Sequence, residues 1–169
     1  MSLPKQRKYS KLAIPAAVGA AVVFVVLMVA PHLVNTNNYS GGGNNAPVYV
    51  PTQHTASLVN DMVHVNAHTY TYYTFSAPSG STNAYVSGKF TAGGGSGNDI
   101  RVFIMDDQNF INWRNGHQSN VYYNSGQETV GNINANIPSG QTLYLIYDNT
   151  FSVLSSKEVS TDVSLTYTS

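Results

Sequence analysis

Thr129-Val130-Gly131-Asn132-Ile133-Asn134-Ala135-Asn136-Ile137 decides the fold. Thr129, Gly131, Ile133, Ala135 and Ile137 fall on one side, and Val130 with three asparagines falls on the other. A period of two with one apolar face is the pattern of a half-buried strand in an antiparallel sheet. Upstream, Ile100, Val102 and Ile104 alternate with Arg101, Phe103 and Met105, so that strand should be covered on both faces. Working outward, short runs rich in Val, Ile, Tyr, Phe and Thr recur between breakers. The breakers are Pro78-Ser79-Gly80, Gly93-Gly94-Gly95-Ser96-Gly97, Asn115-Gly116 and Pro138-Ser139-Gly140. The expected strands are Met62–Asn66, Thr69–Ser76, Ala84–Thr91, Ile100–Met105, Phe110–Trp113, Val121–Tyr123, Glu128–Ile137, Thr142–Tyr147 and Val159–Tyr167. Eight or nine short strands with no helix between them predict an all-β domain, an antiparallel β-sandwich over residues 61–169.

Composition agrees and excludes several classes. Of 169 residues only 9% are charged, against roughly 25% in an average soluble domain. The polar load rests on Asn and Ser, with 14 Gly and 12 Tyr, so a helical bundle or coiled coil is excluded. Net charge is zero, which removes bulk attraction to nucleic acid. There is no cysteine, hence neither a disulfide framework nor a thiolate metal site.

The zero net charge hides an asymmetry. Lys5, Arg7, Lys8 and Lys11 form a basic tip over residues 1–11, while all the carboxylates come later. From Leu12 to Ala30 there is no charged residue. A helix of that length measures roughly 28 Å, close to a hydrocarbon core of about 30 Å, and Pro31 to Val34 complete the span. Residues 12–34 therefore read as a transmembrane signal anchor. The cations put the N-terminus in the cytoplasm and the rest outside. A cleaved signal peptide is the competing reading, but no small-x-small site follows at Val29-Ala30-Pro31-His32-Leu33. Residues 35–60 lack periodicity and read as a flexible Asn/Gly/Ser stalk. The sequon Asn38-Tyr39-Ser40 makes Asn38 a candidate glycosylation position just outside the membrane, although sequons arise often by chance in an Asn- and Ser-rich chain.

Three stretches carry a resemblance. Val86-Ser87-Gly88-Lys89-Phe90 leads through the Gly-rich loop to Asn98-Asp99-Ile100-Arg101-Val102-Phe103-Ile104-Met105-Asp106. Pro138-Ser139-Gly140 precedes Leu143-Tyr144-Leu145-Ile146-Tyr147. Asp148-Asn149-Thr150-Phe151-Ser152-Val153-Leu154-Ser155-Ser156-Lys157-Glu158-Val159 follows. Together they resemble the Golgi-dynamics (GOLD) β-sandwich, and most closely its small prokaryotic extracytoplasmic, mostly uncharacterised forms. Asn149, Phe151, Ser152, Lys157 and Val159 match the closing motif of that family. Cargo receptors of the family carry a disulfide, a coiled coil and a C-terminal anchor, all missing from this sequence, so a cargo role does not carry over. The resemblance implies a non-catalytic, jelly-roll-like sandwich that binds proteins, lipids or glycans. On physical grounds alone, Asn149 should hold a turn, Ser152 and Ser155 should satisfy loop backbone, and Phe151 should plug the core. Lys157 should stay solvated. These roles predict a loss of about 3–5 kcal/mol for Phe151→Ala and under about 1 kcal/mol for Lys157→Ala.

Chemistry-bearing constellations are few. Asp99, Asp106, Asp107 and Asn109 are weak calcium candidates, although Asp106-Asp107-Gln108-Asn109 also reads as a plain turn between strands. His64, His68 and His117 could hold a metal only if a turn at Asn66-Ala67 folds them together. No GxSxG, HExxH or P-loop is present. Trp113, Tyr122, Tyr123 and His117 are the binding-surface candidates, since flat aromatics beside amides suit sugars and protein hot spots. Tyr70, Tyr72 and Tyr73 share one strand.

The expected function is a membrane-anchored, non-catalytic extracytoplasmic interaction module with a protein partner in a membrane or envelope assembly and no cofactor. The alternatives are a carbohydrate-binding surface domain and a metal-dependent periplasmic enzyme or metal chaperone.

Overall fold

The computed structural model describes residues 50–95 and 97–169, together with the backbone of Phe24–Val25. Nine strands and one helix are present: β1 (Phe24–Val25), β2 (Gln53–Val65), β3 (Tyr70–Phe75), β4 (Thr82–Gly93), β5 (Ile100–Asp106), α1 (Asp107–Arg114), β6 (Tyr123–Glu128), β7 (Val130–Asn136), β8 (Leu143–Asp148) and β9 (Lys157–Thr168). One sheet runs β1-β3-β8-β5-β6 and the other β2-β9-β4-β7. Every pairing is antiparallel except β1 with β3. The chain is all-β, as the alternation requires.

Between the sheets lies the main core. Val63, Val65, Val86, Phe90, Ile133, Val159, Val163 and Leu165 of one sheet meet Phe75, Ile100, Val102, Ile104, Leu143, Leu145 and Tyr147 of the other. β7 behaves as its alternation dictates: Gly131, Ile133 and Ala135 are buried, and Val130, Asn132, Asn134 and Asn136 are exposed. Gly131 is required by packing, because a Cβ there would stand 2.4 Å from the buried Phe90 ring. Gly131→Ala is expected to cost about 1–3 kcal/mol, the usual range for overpacking; an unchanged urea midpoint would show that Phe90 can step aside.

A second core covers the outer face of the β3-β8-β5 sheet. Phe103 and Met105 of β5, Ile146 of β8 and Tyr70 of β3 pack against Phe110 of α1, with Tyr72, Trp113 and Tyr144 alongside. This explains why β5 is apolar on both sides.

Several expectations are corrected. Phe110–Trp113 is not a strand but the body of α1. Asp106 caps that helix by accepting from the Asn109 N–H at 2.8 Å, with Asp107 in the first turn and Arg114 in the last. Asp106-Asp107-Gln108-Asn109 is therefore a helix start rather than a turn between strands. Glu128–Ile137 is two strands separated at Thr129, and Val121–Tyr123 shrinks to the first residue of β6. The sandwich begins near Thr52, whose N–H and C=O both pair with Ser169, so residues 53–60 are strand and not stalk.

The basic tip, residues 35–49 of the expected stalk with Asn38, and residues 12–23 and 26–34 of the expected anchor lie outside the described residues. Within the stretch 12–34, Phe24–Val25 are extended and paired with β3. Among the described residues no helix is long and apolar enough to cross a membrane.

Candidate functional site

The corner between β8 and β9 combines a hydrogen-bonded loop backbone with the most exposed large apolar side chains among the described residues. β8 carries Tyr147 into the main core, Asp148 outward and Asn149 inward at its end, and both Asp148 and Asn149 are fully buried. Asn149 donates from Nδ2 to the carbonyls of Ser155 (2.8 Å), Asn66 (3.1 Å) and Val65 (3.3 Å). Its backbone N–H reaches Thr69 O at 2.9 Å, and its carbonyl accepts from Ser152 N–H. Ser152 Oγ donates to Ser155 O at 2.9 Å, and Ser152 O accepts from His68 N–H. The loop over residues 150–156 is thereby sewn to the β2–β3 turn. Asn149 and Ser152 play the turn-holding parts read from the sequence. The Gly-rich loop closes the third side, where a Cβ on Gly95 would stand 2.2 Å from Ser155 and φ is +69°.

Charges at this corner are paired inward. Arg101 Nη2 lies 2.7 Å from Asp148 Oδ2 and donates to Thr150 Oγ1 at 3.2 Å, while Asp148 Oδ1 accepts from Thr150 N–H. The Arg101 guanidinium stands 4.9 Å over the Phe151 ring. Lys157, at 1% exposure, holds Asp99 Oδ1 at 3.3 Å, and Gln127 donates to the other carboxylate oxygen. That amide donor, with Lys157 second, keeps the Asp99 carboxyl below its ordinary value against a partial burial penalty.

Two readings of the closing motif are thus corrected. Lys157 is not solvated: it opens β9 on the same face as Val159, Thr161 and Val163, and that face looks into the core. Phe151 does not plug the core: it is half-buried beneath Arg101. Val159 is fully buried in the main core. At the tip Val153 is 66% and Leu154 91% exposed.

The other candidates divide. Trp113 sits half-buried with its ring edge-on to Tyr70 at 5.0 Å, so it is a wall of the second core. Tyr123 turns to the main core and donates to Asn132 O at 2.9 Å. Tyr122 and His117 remain at the surface. Tyr70 and Tyr72 line the second core, whereas Tyr73 packs on Tyr147.

The calcium reading fails on distance. Asp99 immediately precedes β5 and Asp106 is its last residue, a separation of roughly 20 Å at strand rise. Asp106 is taken up by Asn109, and Asp107 accepts from the Tyr144 hydroxyl at 2.8 Å. Burial and that bond push the Tyr144 hydroxyl up to about 12. These groups line an open depression of about 600 Å³ with Gln108, Gln141 and Thr142. Among the described residues no three His, Asp or Glu side chains converge on a metal position.

His64 pairs instead with Glu158 at 2.5 Å through Nδ1 and with Asn66 Oδ1 at 3.0 Å through Nε2. Both ring nitrogens face acceptors, the Glu158 bond being the larger cause, so the imidazolium is favoured and its pKa rises above 6.5. A raised folded value adds stability that is complete below about 6.5, the unfolded value, and is lost as pH rises through the folded value. The pair is half-exposed, so the loss should be under about 1 kcal/mol. Thermal melts between pH 6 and 9 should show this slope in the wild type and a smaller one in Glu158→Gln, which keeps the Asn66 bond.

Two features were missed from sequence. The helix had its signals: Asp106 as cap, Asp107 after it, Arg114 late and Asn115-Gly116 beyond. The burial of Lys157 was signalled by its parity with Val159, Val163, Leu165 and Tyr167. No protein-family model matches the chain, and no curated protein matches it.

Proposed function

We propose that this chain is a membrane-tethered, non-catalytic extracytoplasmic interaction module of GOLD-like form, an accessory subunit that meets its protein partner through the β8–β9 corner. One observation carries the reading: Val153 and Leu154 stand out from a loop whose backbone is fastened at Asn149, Ser152 and Ser155. An apolar side chain held in water on an ordered loop keeps its unfavourable hydration, and a partner surface that covers it releases that water. Preorganisation keeps the entropic cost of such a contact low.

Placement supports the same reading. β2 and β9 pair from Gln53–Thr168 at one end to Val65–Lys157 at the other. The thirteen residues of β2 separate the entry point of the tether from the corner, by about 40 Å at strand rise. An anchor at residues 12–34 would then present the corner away from the membrane. The tether itself rests on the four cations ahead of the uncharged run.

Because the chain has no cysteine, Leu154→Cys gives one labelling site. A membrane-impermeant maleimide should label it in intact cells; labelling only after lysis overturns the orientation. A photo-crosslinker at residue 154 should yield a discrete adduct that one at the exposed Asn134 does not. Equal yields from both positions would remove the corner from consideration.

A further inference from the structure

Four strands border the sandwich inside the two-residue β1: β2 and β7 in one sheet, β3 and β6 in the other. Charge, proline or a bulge normally stops such an edge from pairing further. β2 carries Asp61 and an irregularity at Ser57/Val59, and β6 carries Glu128 and is irregular against β5. β3 and β7 have no charge, no proline and no register shift. They differ in what stands over them. Tyr70 and Tyr72 of β3 pack against Phe110 of α1, and Tyr70 also meets Trp113. The outward side chains of β7, Val130, Asn132, Asn134 and Asn136, are all exposed.

The ladder with β4 fixes which backbone groups of β7 are open. Ala92 N–H donates to Thr129 O at 2.7 Å, and Ile137 N–H donates to Ala84 O at 3.0 Å. Odd residues of β7 therefore turn their main-chain groups to β4, and Val130, Asn132, Asn134 and Asn136 turn theirs out of the sheet. The Tyr123 hydroxyl takes one lone pair of Asn132 O at 2.9 Å, and the carbonyl keeps a second.

A second copy of β7 fits this edge. Antiparallel pairing centred on Ile133 sets Val130 opposite Asn136 of the second copy and Asn132 opposite its Asn134, so every outward residue meets an outward residue. An amide both donates and accepts, so asparagine opposite asparagine is self-complementary, as a carboxylate or an ammonium is not. Lys89 lies beside Asn132, and Glu128 stands by Gly131. The two-fold symmetry keeps each of them about 13 Å or more from its own copy, beyond a Debye length of about 8 Å.

We propose that the outer edge of β7 is a self-association site, where β7 of a second copy pairs antiparallel about Ile133 and joins the two four-stranded sheets into one. A single edge pair of seven residues belongs with the small, transient interfaces, under about 1,200 Å². The Val130 end of β7 lies at the Lys157 end of β9, and the Asn136 end lies toward Gln53. Self-pairing thus sends the two β8–β9 corners to opposite ends and leaves both free, so the site does not depend on the corner's role. The two Gln53 ends diverge likewise. With the tether proposed above, the pair suits copies on facing membranes; only that arrangement rests on the tether.

Sedimentation of the full chain in detergent should show a monomer–dimer equilibrium at sub-millimolar concentration. Asn134→Lys puts charge on the edge and should raise the dissociation constant about tenfold or more. It leaves residues 12–34 unchanged, so association through them would not respond. Emission from Trp113 verifies that the variant is folded. The chain has no cysteine of its own, so Asn132→Cys and Asn134→Cys can be made in separate copies, mixed and oxidised. Opposed Cα atoms about 5.5 Å apart are within disulfide reach. The disulfide between positions 132 and 134 should form about tenfold faster than that between Asn132→Cys and Asn60→Cys, an exposed position on the far edge of the same sheet. A chain that stays monomeric gives the edge to a foreign strand or to water and overturns the proposal. An unchanged dissociation constant in Asn134→Lys, or a disulfide no faster than the control, does the same. A faster disulfide between two Asn134→Cys copies overturns the centre at Ile133. Vesicles carrying the full chain should cluster by light scattering, and vesicles carrying Asn134→Lys should stay dispersed. A dimer in detergent without clustering overturns the facing-membrane arrangement and leaves the self-association site standing.

Discussion

Arg101→Met is expected to destabilise the protein by about 3–5 kcal/mol, the cost of removing one partner of a buried ion pair. Asp148 has no exposed side-chain surface, and Arg101 Nη2 at 2.7 Å is the positive charge the structure sets against it. Without the guanidinium, the carboxylate keeps one bond from Thr150 N–H at Oδ1. Methionine retains most of the apolar stem, so the measured loss reports chiefly the uncompensated charge. Adding Asp148→Asn should recover most of it, because a neutral amide needs no counter-charge. Urea unfolding decides the matter. A single variant within about 1 kcal/mol of the wild type would mean that water reaches Asp148.

The same pair explains how much of the corner was open to sequence reading. Alternation exposes a strand's two faces, and it located β5, β7, β8 and β9 to within a few residues. It also placed Arg101 on the face opposite Ile100 and Val102. It does not show which outward face a second layer covers. That layer is α1, and its apolar content is too small for a helical period: Phe110 is its one buried residue. End signals around Asp106 and Asn115-Gly116 carried the information instead, and strand propensity in Phe110–Trp113 outweighed them. Aromatic residues favour strands only where a pleated surface receives them. Here Phe110 stacks on Tyr144 at 4.3 Å across the helix–sheet gap. The Asn149 turn was legible because an Asn side chain acts over a few residues of chain. Its bonds to Val65 and Asn66 were not, since they depend on where β2 ends in space.

Charge was misread for a related reason. A lone lysine in a polar loop is ordinarily solvated, and an aromatic residue between serines ordinarily seeks the core. At this corner the reverse holds. β9 starts at Lys157, so parity with Val159 fixes its side chain inward, and Asp99 arrives from the other sheet to meet it. Phe151 stands one turn earlier, outside the sheet, and covers Arg101.

Lys157→Ala should therefore be the damaging member of the closing motif, at about 2–4 kcal/mol. The substitution removes a buried four-carbon stem, whose packing counts even in a charged residue. It also leaves Asp99 without its ammonium partner, although Asp99 keeps the Gln127 bond and some solvent contact. Phe151→Ala should cost only about 1 kcal/mol, the scale of a partly solvated cation–π contact with its half-buried ring. The ordering is the opposite of the one expected from sequence alone. Acid titration adds an independent sign. The depressed Asp99 value stabilises the fold above the ordinary carboxylate range, and that contribution disappears as pH falls through the folded value. Lys157→Ala should flatten this acid limb, because one of its causes is gone, whereas Phe151→Ala should leave it in place. Urea midpoints of both variants at pH 7 and pH 3 test the assignment. A larger loss for Phe151→Ala than for Lys157→Ala at pH 7 would restore the plug and remove Lys157 from the core.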